Sequence, residues 1–308
     1  MFEVLIDKLQ NDKYITLETT PTHEPVFDHI IEKIKEYKLD TKVDGFSTTD
    51  NPLAKLKYNS LFGALKIQQN FNKPVIATVS MRDRNKIALQ SDLLGANDFD
   101  IRAILALTGD PASMSDQPHT KGVFEANSNM LLEIINSFNN GMDYAGKPFK
   151  TQPKTIFPFS VINSYAKNMK SLEKKMAKKI LNGTCGIITQ PVYDLQNAKQ
   201  LLEYFNSAKS SFTKSSLSDN RNKSTLILGI FPITQLRTAQ FLHSHVPGIY
   251  VPQDWIDKLT IASKISKEEE RKVGMKLSSD LLKQIQEFHP KVHLMTANKF
   301  DIANELLF

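Results

Sequence analysis

Three short apolar stretches of the sequence end in side chains that could take part in acid–base or hydrogen-bond chemistry, namely Glu18, Asp110 and Gln190. A carboxyl group that is half-buried at the end of a strand has a raised pKa, which suits Glu18 as a general acid. Asp110 follows Gly109, a residue that lets a ligand approach the backbone. The amide of Gln190 offers a donor and an acceptor to the edge of a heterocyclic ring.

Each of these residues also has an ordinary structural explanation. Glu18 could pair with a nearby lysine or arginine, and the sequence Gly-Asp-Pro, which contains Asp110, is common in turns. The amide of Gln190 could bond to loop backbone instead of a ligand. The residue types alone therefore leave a chemical and a structural interpretation open at each position.

Two pairs of basic residues could bind an anion. Arg82 and Arg84 could clamp a phosphate or carboxylate, or could pair with neighbouring aspartates. Lys178 and Lys179 close a predicted helix, where cations also stabilise the negative end of the helix dipole. The seven histidines show no H-x-x-x-H or H-E-x-x-H spacing and the lone Cys185 has no partner ligands, so no metal site is predicted.

The elements that must position these side chains alternate between strands and helices. Apolar runs rich in β-branched residues predict strands at 15–20, 45–50, 74–81, 104–110, 156–162, 186–192, 226–232 and 292–297. Helix-like stretches lie at 26–37, 53–69, 131–138, 171–181, 198–205 and 234–243. This order predicts a parallel sheet, and eight continuous strands favour a closed (β/α)8 barrel over an open doubly wound sheet.

Composition is ordinary for a globular protein, and the length alone allows one large core or two smaller ones. The 308 residues are 41% hydrophobic and 23% charged, and we expect residues 1–308 to form a single barrel domain. The polar, low-complexity stretch at about 207–224 is expected to be a flexible surface loop. A lone cysteine indicates a reducing compartment, with the cytoplasm as the default. Neither a secretory signal nor a long apolar segment is recognisable, so export and membrane insertion are not expected.

The formal net charge of +6 raises the question of nucleic-acid binding. Basic residues are mostly interleaved with acidic ones, as in KISKEEERK, which is more typical of a solvated helix face. We therefore expect no nucleic-acid partner. A modest positive excess also suits an anionic small ligand, because it raises the local concentration of that ligand.

The strand ends, taken in order, are more specific than any one of them. They read LETTP, STTDNP, SMRDRN followed by ALQSDLLGA, LALTGDP and ITQPVYD. In this order they resemble the methylenetetrahydrofolate reductase family, and in particular its bacterial branch that also occurs fused to homocysteine methyltransferases. The resemblance extends over about residues 15–303. It implies a (β/α)8 barrel enzyme of one-carbon metabolism and methionine biosynthesis that binds FAD and a folate at the C-terminal ends of the strands.

The resemblance also implies roles for individual residues. Glu18 would protonate a folate nitrogen, Asp110 would stabilise the cationic intermediate near the flavin, and Gln190 would hydrogen-bond the pterin ring. An aromatic residue that stacks on nicotinamide and folate in some relatives corresponds to Phe241 or Leu242, with Leu242 the nearer match. That match disfavours direct use of NADH or NADPH by the isolated chain.

Further residues correspond to flavin contacts of the family. They are Thr48 or Thr49, Thr78, Thr108, Gly109, Asp110, Asn163, Lys178 and Lys179. Better-studied reductases often have a histidine at the position of Thr78 and an arginine at that of Thr108, so these contacts depart from the family pattern. The two lysines match a basic pair near the FAD phosphates, which outweighs helix capping as their explanation.

The sequence thus predicts flavin-dependent reduction of 5,10-methylenetetrahydrofolate to 5-methyltetrahydrofolate, or the reverse oxidation. The alternative is a folate- or flavin-binding subunit that is active only within a complex. The sequence leaves open the electron donor, which could be NADH, NADPH or a donor protein. It also leaves open whether the chain forms a homo-oligomer. An aldolase or lyase barrel would need a lysine at a strand end, and no strand end places one there convincingly.

Overall fold

A closed barrel of parallel strands forms the centre of the molecule in the computed structural model, which describes residues 1–211 and 223–307. The strands are β1 (Tyr14–Thr19), β2 (Gly45–Thr48), β3 (Val75–Ser80), β4 (Ala103–Leu107), β5 (Phe157–Ile162), β6 (Gly186–Pro191), β7 (Thr225–Ile230) and β8 (Lys291–Leu294). Each strand pairs with the next, and β8 closes the barrel against β1. All eight predicted strands are present, and the predicted (β/α)8 barrel is confirmed.

Helices surround the barrel on its outside and at one end. They are α1 (Phe2–Asn11), α2 (Asp28–Glu36), α3 (Ser60–Phe71), α4 (Lys86–Asp98), α5 (Ser128–Asn139), α6 (Lys170–Leu181), α7 (Leu195–Ser210), α8 (Leu236–His245), α9 (Gln253–Ile265), α10 (Lys267–Phe288) and α11 (Phe300–Leu306). Across the described ranges, no helix is both long and apolar enough to cross a membrane.

The predicted helix at 53–69 is wrong in its first part. A short 3-10 turn, Pro52–Ala54, comes first, and Leu53 and Ala54 have left-handed backbone angles that no α-helix contains. Helix α3 begins only at Ser60, because the side chain of Asn59 accepts hydrogen bonds from the first free backbone N–H groups. The stretch before Asn59 is therefore a loop at the C-terminal end of β2.

The predicted loop at 207–224 is only partly described. Residues 207–210 form the end of α7, and residues 212–222 lie outside the described part of the chain. Helices α1, α4, α9 and α11 were not among the predicted helical stretches, and of α10 only the beginning, within KISKEEERK, was interpreted as a helix face. Helix α10 begins after Ser266, whose hydroxyl caps it, and its first turn is a run of glutamates that gives little apolar periodicity.

The amino-terminal helix closes the bottom of the barrel. Phe2, Leu5 and Leu9 are buried against side chains inside the barrel, which include Phe159 and Ile227. A larger apolar cluster fills the space between the strands and the outer helices. Because α1 seals the end at which the strands begin, a ligand can enter the barrel from the opposite end, where the strands finish.

Helix α10 packs on the loop after β7 through Gly274. A Cβ atom at this position would lie 2.2 Å from the carbonyl oxygen of Ile233 and 2.8 Å from the Cα atom of Thr234. We expect Gly274→Ala to lower the free energy of unfolding by about 1–3 kcal/mol, because backbone atoms cannot move aside without cost. Urea unfolding curves measure the change.

Gly95 provides the matched control for this prediction. It lies within α4, and a Cβ atom there would have no neighbour within 4 Å. Gly95→Ala should raise the free energy of unfolding by about 0.5–1 kcal/mol, because alanine has the higher helix propensity. Equal effects of the two substitutions would show that the contact with Ile233 does not limit residue size at Gly274.

Candidate active site

A cavity of about 720 Å³ opens at the C-terminal ends of the strands. Its size is within the range of small-molecule and cofactor sites. Most of the site residues predicted from the sequence line it, namely Glu18, Thr49, Thr78, Thr108, Gly109, Asp110, Asn163, Lys178, Lys179 and Gln190. The barrel therefore places side chains that are far apart in the sequence around one cavity.

Three predicted site residues lie elsewhere. Thr48 is buried on the outer side of β2, where its hydroxyl donates a hydrogen bond to the Ser60 carbonyl at 3.0 Å. Side chains alternate along a strand, so Thr49 faces the cavity and Thr48 does not. Phe241 is 52% exposed on α8, and Leu242 is packed into the apolar core on the same helix. Neither of these two side chains is part of the cavity wall.

Glu18 lines the cavity from the inner face of β1, where its side chain is partly accessible from the cavity. Burial raises the pKa of Glu18 to about 7, and no ion pair or hydrogen bond with any described residue opposes this shift. The ion-paired alternative for Glu18 is thus not seen in the described ranges. A carboxyl group with this pKa is protonated in a substantial fraction of molecules near neutral pH, as a general acid must be.

Asp110 follows the end of β4, lines the cavity, and accepts a hydrogen bond from a neighbouring loop. Gly109 has a φ of 94°, which a glycine adopts readily, and a Cβ atom there would lie 2.9 Å from that of Arg82. Both Gly109 and Asp110 line the cavity. One carboxylate oxygen of Asp110 accepts a hydrogen bond from the backbone N–H of Leu53 at 2.6 Å. This bond ties the loop after β2 to the loop after β4.

The two arginines after β3 bind aspartates. Arg82 pairs with Asp83 at 2.6 Å, and Arg84 pairs with Asp92 at 2.7 Å and with Asp50 at 2.6 Å. Of these five residues only Asp50 lines the cavity. The pairing interpretation is therefore confirmed, and the arginines act as supports of the neighbouring loops. The sequence did not single out Asp50, although it lies in the STTDNP stretch.

One face of α6 supplies positive charge to the cavity. Lys174, Lys175, Lys178 and Lys179 all line it, and none of the ion pairs in the described ranges involves them. Burial, and after it the charge of Lys175, lower the pKa of Lys179 to about 8. Four like charges without carboxylate partners favour an anionic ligand at this side of the cavity. Sequence reasoning found the second pair of lysines and missed the first, one helical turn earlier.

Polar groups without protein partners face the same space. No described hydrogen bond engages the side-chain amide of Gln190, and the hydroxyl of Thr49 likewise has no partner among the described residues. The register of β6 against β7 shifts between Ile188 and Pro191, which is the segment that contains Gln190. Such irregularities re-aim a side chain near a site. Both groups can therefore hydrogen-bond to a ligand without losing an existing bond.

His293 also lines the cavity, and the sequence analysis did not identify it. It lies in the middle of β8, is 2% exposed, and burial lowers its pKa to about 4. The ring is therefore neutral near neutral pH. In the sequence, a histidine within an apolar strand is indistinguishable from a core residue, so no local pattern marks this position.

Comparisons with known proteins agree with the geometry. Residues 4–307 match the family model described as methylenetetrahydrofolate reductase. A structure from Clostridium thermocellum, of a protein that binds two copies of 5-methyl-5,6,7,8-tetrahydrofolic acid, superposes with a TM-score of 0.61 at 13% identity, covering 98% of this chain and 97% of that chain. No curated protein matches the sequence.

Two further structures share the fold at lower identity. DmoA from Hyphomicrobium sulfonivorans has a TM-score of 0.55 at 7% identity, covering 96% of this chain and 86% of that chain. The long-chain alkane monooxygenase LadA has a TM-score of 0.56 at 8% identity, covering 96% of this chain and 90% of that chain. At these identities the three structural likenesses establish the fold alone.

Proposed function

Because one family model spans residues 4–307, the chain belongs to the methylenetetrahydrofolate reductase family, and we propose that it interconverts 5,10-methylenetetrahydrofolate and 5-methyltetrahydrofolate with a bound FAD. The single observation that carries this proposal is the place of Glu18, a carboxyl group with a pKa of about 7 and no partner among the described residues, on the wall of a cavity rich in groups that bind anions and ring edges. The folate-binding relative from Clostridium thermocellum supports the substrate class.

The residues present fit a flavin dinucleotide. Its diphosphate would lie against Lys178 and Lys179, which have no carboxylate partners in the described part of the chain. Gly109 lines the same cavity, and the hydroxyl of Thr49, which has no partner among the described residues, offers a hydrogen bond to the flavin. When bound, the flavin supplies the hydride that the protein itself cannot provide.

The chain's own residues supply the acid and the electrostatic field. Glu18 in its protonated form donates a proton to a nitrogen of the five-membered folate ring, which opens the ring to an iminium cation. Asp110, whose carboxylate accepts a hydrogen bond from the N–H of Leu53, contributes negative charge that stabilises this cation. The amide of Gln190 bonds to the edge of the pterin and sets its orientation. In the reverse direction Glu18 accepts the same proton.

A folate- or flavin-binding subunit that works only within a complex is the second candidate. Thr78 and Thr108 line the cavity where better-studied reductases often carry a histidine and an arginine. Leu242, the nearer match to the nicotinamide-stacking aromatic, is buried away from the cavity. The first observation concerns the flavin contacts, and the second favours an electron donor other than NADH or NADPH bound directly by the isolated chain, such as a donor protein.

Single-turnover chemistry tests the proposal. The FAD-loaded chain is reduced with dithionite under anaerobic conditions and mixed with 5,10-methylenetetrahydrofolate. We expect flavin reoxidation together with 5-methyltetrahydrofolate, identified by chromatography. A flavin that stays reduced while the folate binds would favour the second candidate.

The lysine pair on α6 yields a binding prediction. We expect Lys178→Gln with Lys179→Gln to raise the dissociation constant for FAD by about tenfold or more, because charge-assisted hydrogen bonds to the diphosphate are lost. Quenching of FAD fluorescence on binding measures the constant. The control, Lys167→Gln with Lys170→Gln, removes two exposed charges close by in the sequence that do not line the cavity. Equal weakening by both double variants would mean that net charge, and not this site, attracts FAD.

A further inference from the structure

His293 crosses beneath Glu18. Strand β1 lies between β8 and β2 in the barrel, and His293 of β8 contacts one hydroxyl group on β1 and one on β2. Its Nδ1 atom lies 2.8 Å from the Thr16 hydroxyl on β1, and its Nε2 atom lies 3.5 Å from the Ser47 hydroxyl on β2. A ring that reaches from β8 to β2 must pass over the inner face of β1. Glu18 is the next inward residue of β1 after Thr16, so the ring lies directly below it.

Ser47 is also the neighbour of Glu18. The two residues are partners in the register of β1 and β2, and both side chains point into the barrel. A serine hydroxyl in this position can donate a hydrogen bond to a carboxylate, which would stabilise the charged form of Glu18. In the structure the Ser47 hydroxyl contacts the imidazole instead, and no described residue donates a hydrogen bond to Glu18.

The other ionisable groups near His293 do not change its contacts with Thr16 and Ser47. Below the ring lies Tyr14, buried on the inner face of β1, whose pKa is raised by burial so that the phenol stays neutral. Above it the cavity carries Asp50, which is paired with Arg84, then Asp110, and the lysines of α6, namely Lys174, Lys175, Lys178 and Lys179. The imidazole is thus a neutral polar group between the phenol of Tyr14 and the carboxyl group of Glu18. Among the described residues, no carboxylate forms an ion pair or a hydrogen bond with it.

We propose that His293 is a positioning residue of the acid site: with its single proton on Nδ1, the neutral ring donates to the Thr16 hydroxyl and accepts the hydroxyl hydrogen of Ser47 at Nε2, which leaves Glu18 without a donor among the described residues and in its protonated form. This inference rests on the proposed function for its catalytic meaning, because Glu18 serves there as the general acid. The effect of His293 on the protonation of Glu18 is present in the ligand-free protein. The role of His293 is therefore indirect, through the protonation of Glu18.

Carbon-13 NMR of carboxyl-labelled glutamate in the full chain tests the proposal, with the Glu18 signal assigned from the spectrum of Glu18→Gln. We expect a titration midpoint near 7 for Glu18 in the unmodified protein. In His293→Ala the midpoint should fall by about one pH unit or more, because the Ser47 hydroxyl and water become free to bond to the carboxylate. His293→Gln should restore it, since an amide can bond to both hydroxyl groups. A purely structural role of His293 would leave the midpoint unchanged in the folded variants, and that outcome would overturn the proposal.

A second measurement needs no variant at position 293. The ring carbon signals of His293 in the unmodified chain should remain those of neutral imidazole down to about pH 5, since the pKa is about 4. A ring that protonates near pH 6.5 would overturn the proposal, because an imidazolium below Glu18 would favour the carboxylate. Neither titration needs flavin or folate. An absence of folate turnover with both titrations as expected would therefore refute the proposed function and leave this inference standing.

Discussion

Replacing Glu18 by glutamine is expected to slow reduction of 5,10-methylenetetrahydrofolate by about 10²–10⁴-fold, the usual contribution of general acid catalysis. The amide has nearly the shape of the acid but cannot deliver a proton to the folate nitrogen. FAD binding should be unchanged, because the flavin contacts proposed here involve other residues. Stopped-flow reoxidation of the reduced flavin measures the effect. Glu32→Gln, an exposed position on α2, is the control for the chemical change.

The same residue sets an expected pH dependence. The pKa of Glu18 is raised to about 7, and the protonated form is the active one in the reducing direction. The rate of folate reduction should therefore be constant well below pH 7 and fall about tenfold per pH unit well above it. A Glu18→Gln variant that keeps the full rate, or a wild-type rate that rises with pH, would contradict the role of Glu18 as the acid.

Replacing Asp110 by asparagine is expected to have the second largest effect. The folate half-reaction should slow by about 10–100-fold, because the negative charge that stabilises the cationic intermediate is removed. The asparagine oxygen can still accept the hydrogen bond from Leu53, so the loop after β2 should keep its position. Reduction of the flavin by dithionite should change much less. Rates of the two half-reactions, measured separately, give the comparison.

Asp116 offers a matched control for this experiment. It also accepts a backbone hydrogen bond from the loop after β2, at the N–H of Leu56, but it is exposed and does not line the cavity. Asp116→Asn should leave both half-reactions close to the wild-type rates. Equal slowing of the two half-reactions in Asp110→Asn would argue that Asp110 supports the loop and has no particular effect on the folate cation.

Local sequence patterns were sufficient to predict the barrel and many of the residues that line the cavity at the C-terminal ends of its strands. Most strands are short apolar runs, and a parallel barrel places the C-terminal ends of all its strands on one face. Glu18, Asp110 and Gln190 follow from that rule alone, and all three line the cavity. Lys178 and Lys179 were found through the family resemblance, whereas local pattern alone favoured helix capping and did not mark Lys174 or Lys175.

Features that depend on long-range contacts could not be predicted in this way. The choice between Thr48 and Thr49 required knowing where β2 ends relative to β1, since a shift of one residue moves a side chain to the other face. The loop around Leu53 follows a helix-like apolar pattern, yet it takes a left-handed backbone that is held from Asp110 on another strand. The role of His293 depends on the pairing of β8 with β1, which brings it next to Thr16, 277 positions away in the sequence.

The most direct test of the account combines flavin and folate in one sample. The purified chain, reconstituted with FAD where needed, is mixed anaerobically with 5-methyltetrahydrofolate while the visible flavin band is recorded. We expect a yellow protein whose absorbance bleaches as hydride passes from the folate to the flavin, and bleaching should be strongly slowed in Glu18→Gln. A chain that cannot be loaded with FAD, or a loaded chain whose flavin stays oxidised in the presence of the folate, would contradict the proposed reaction.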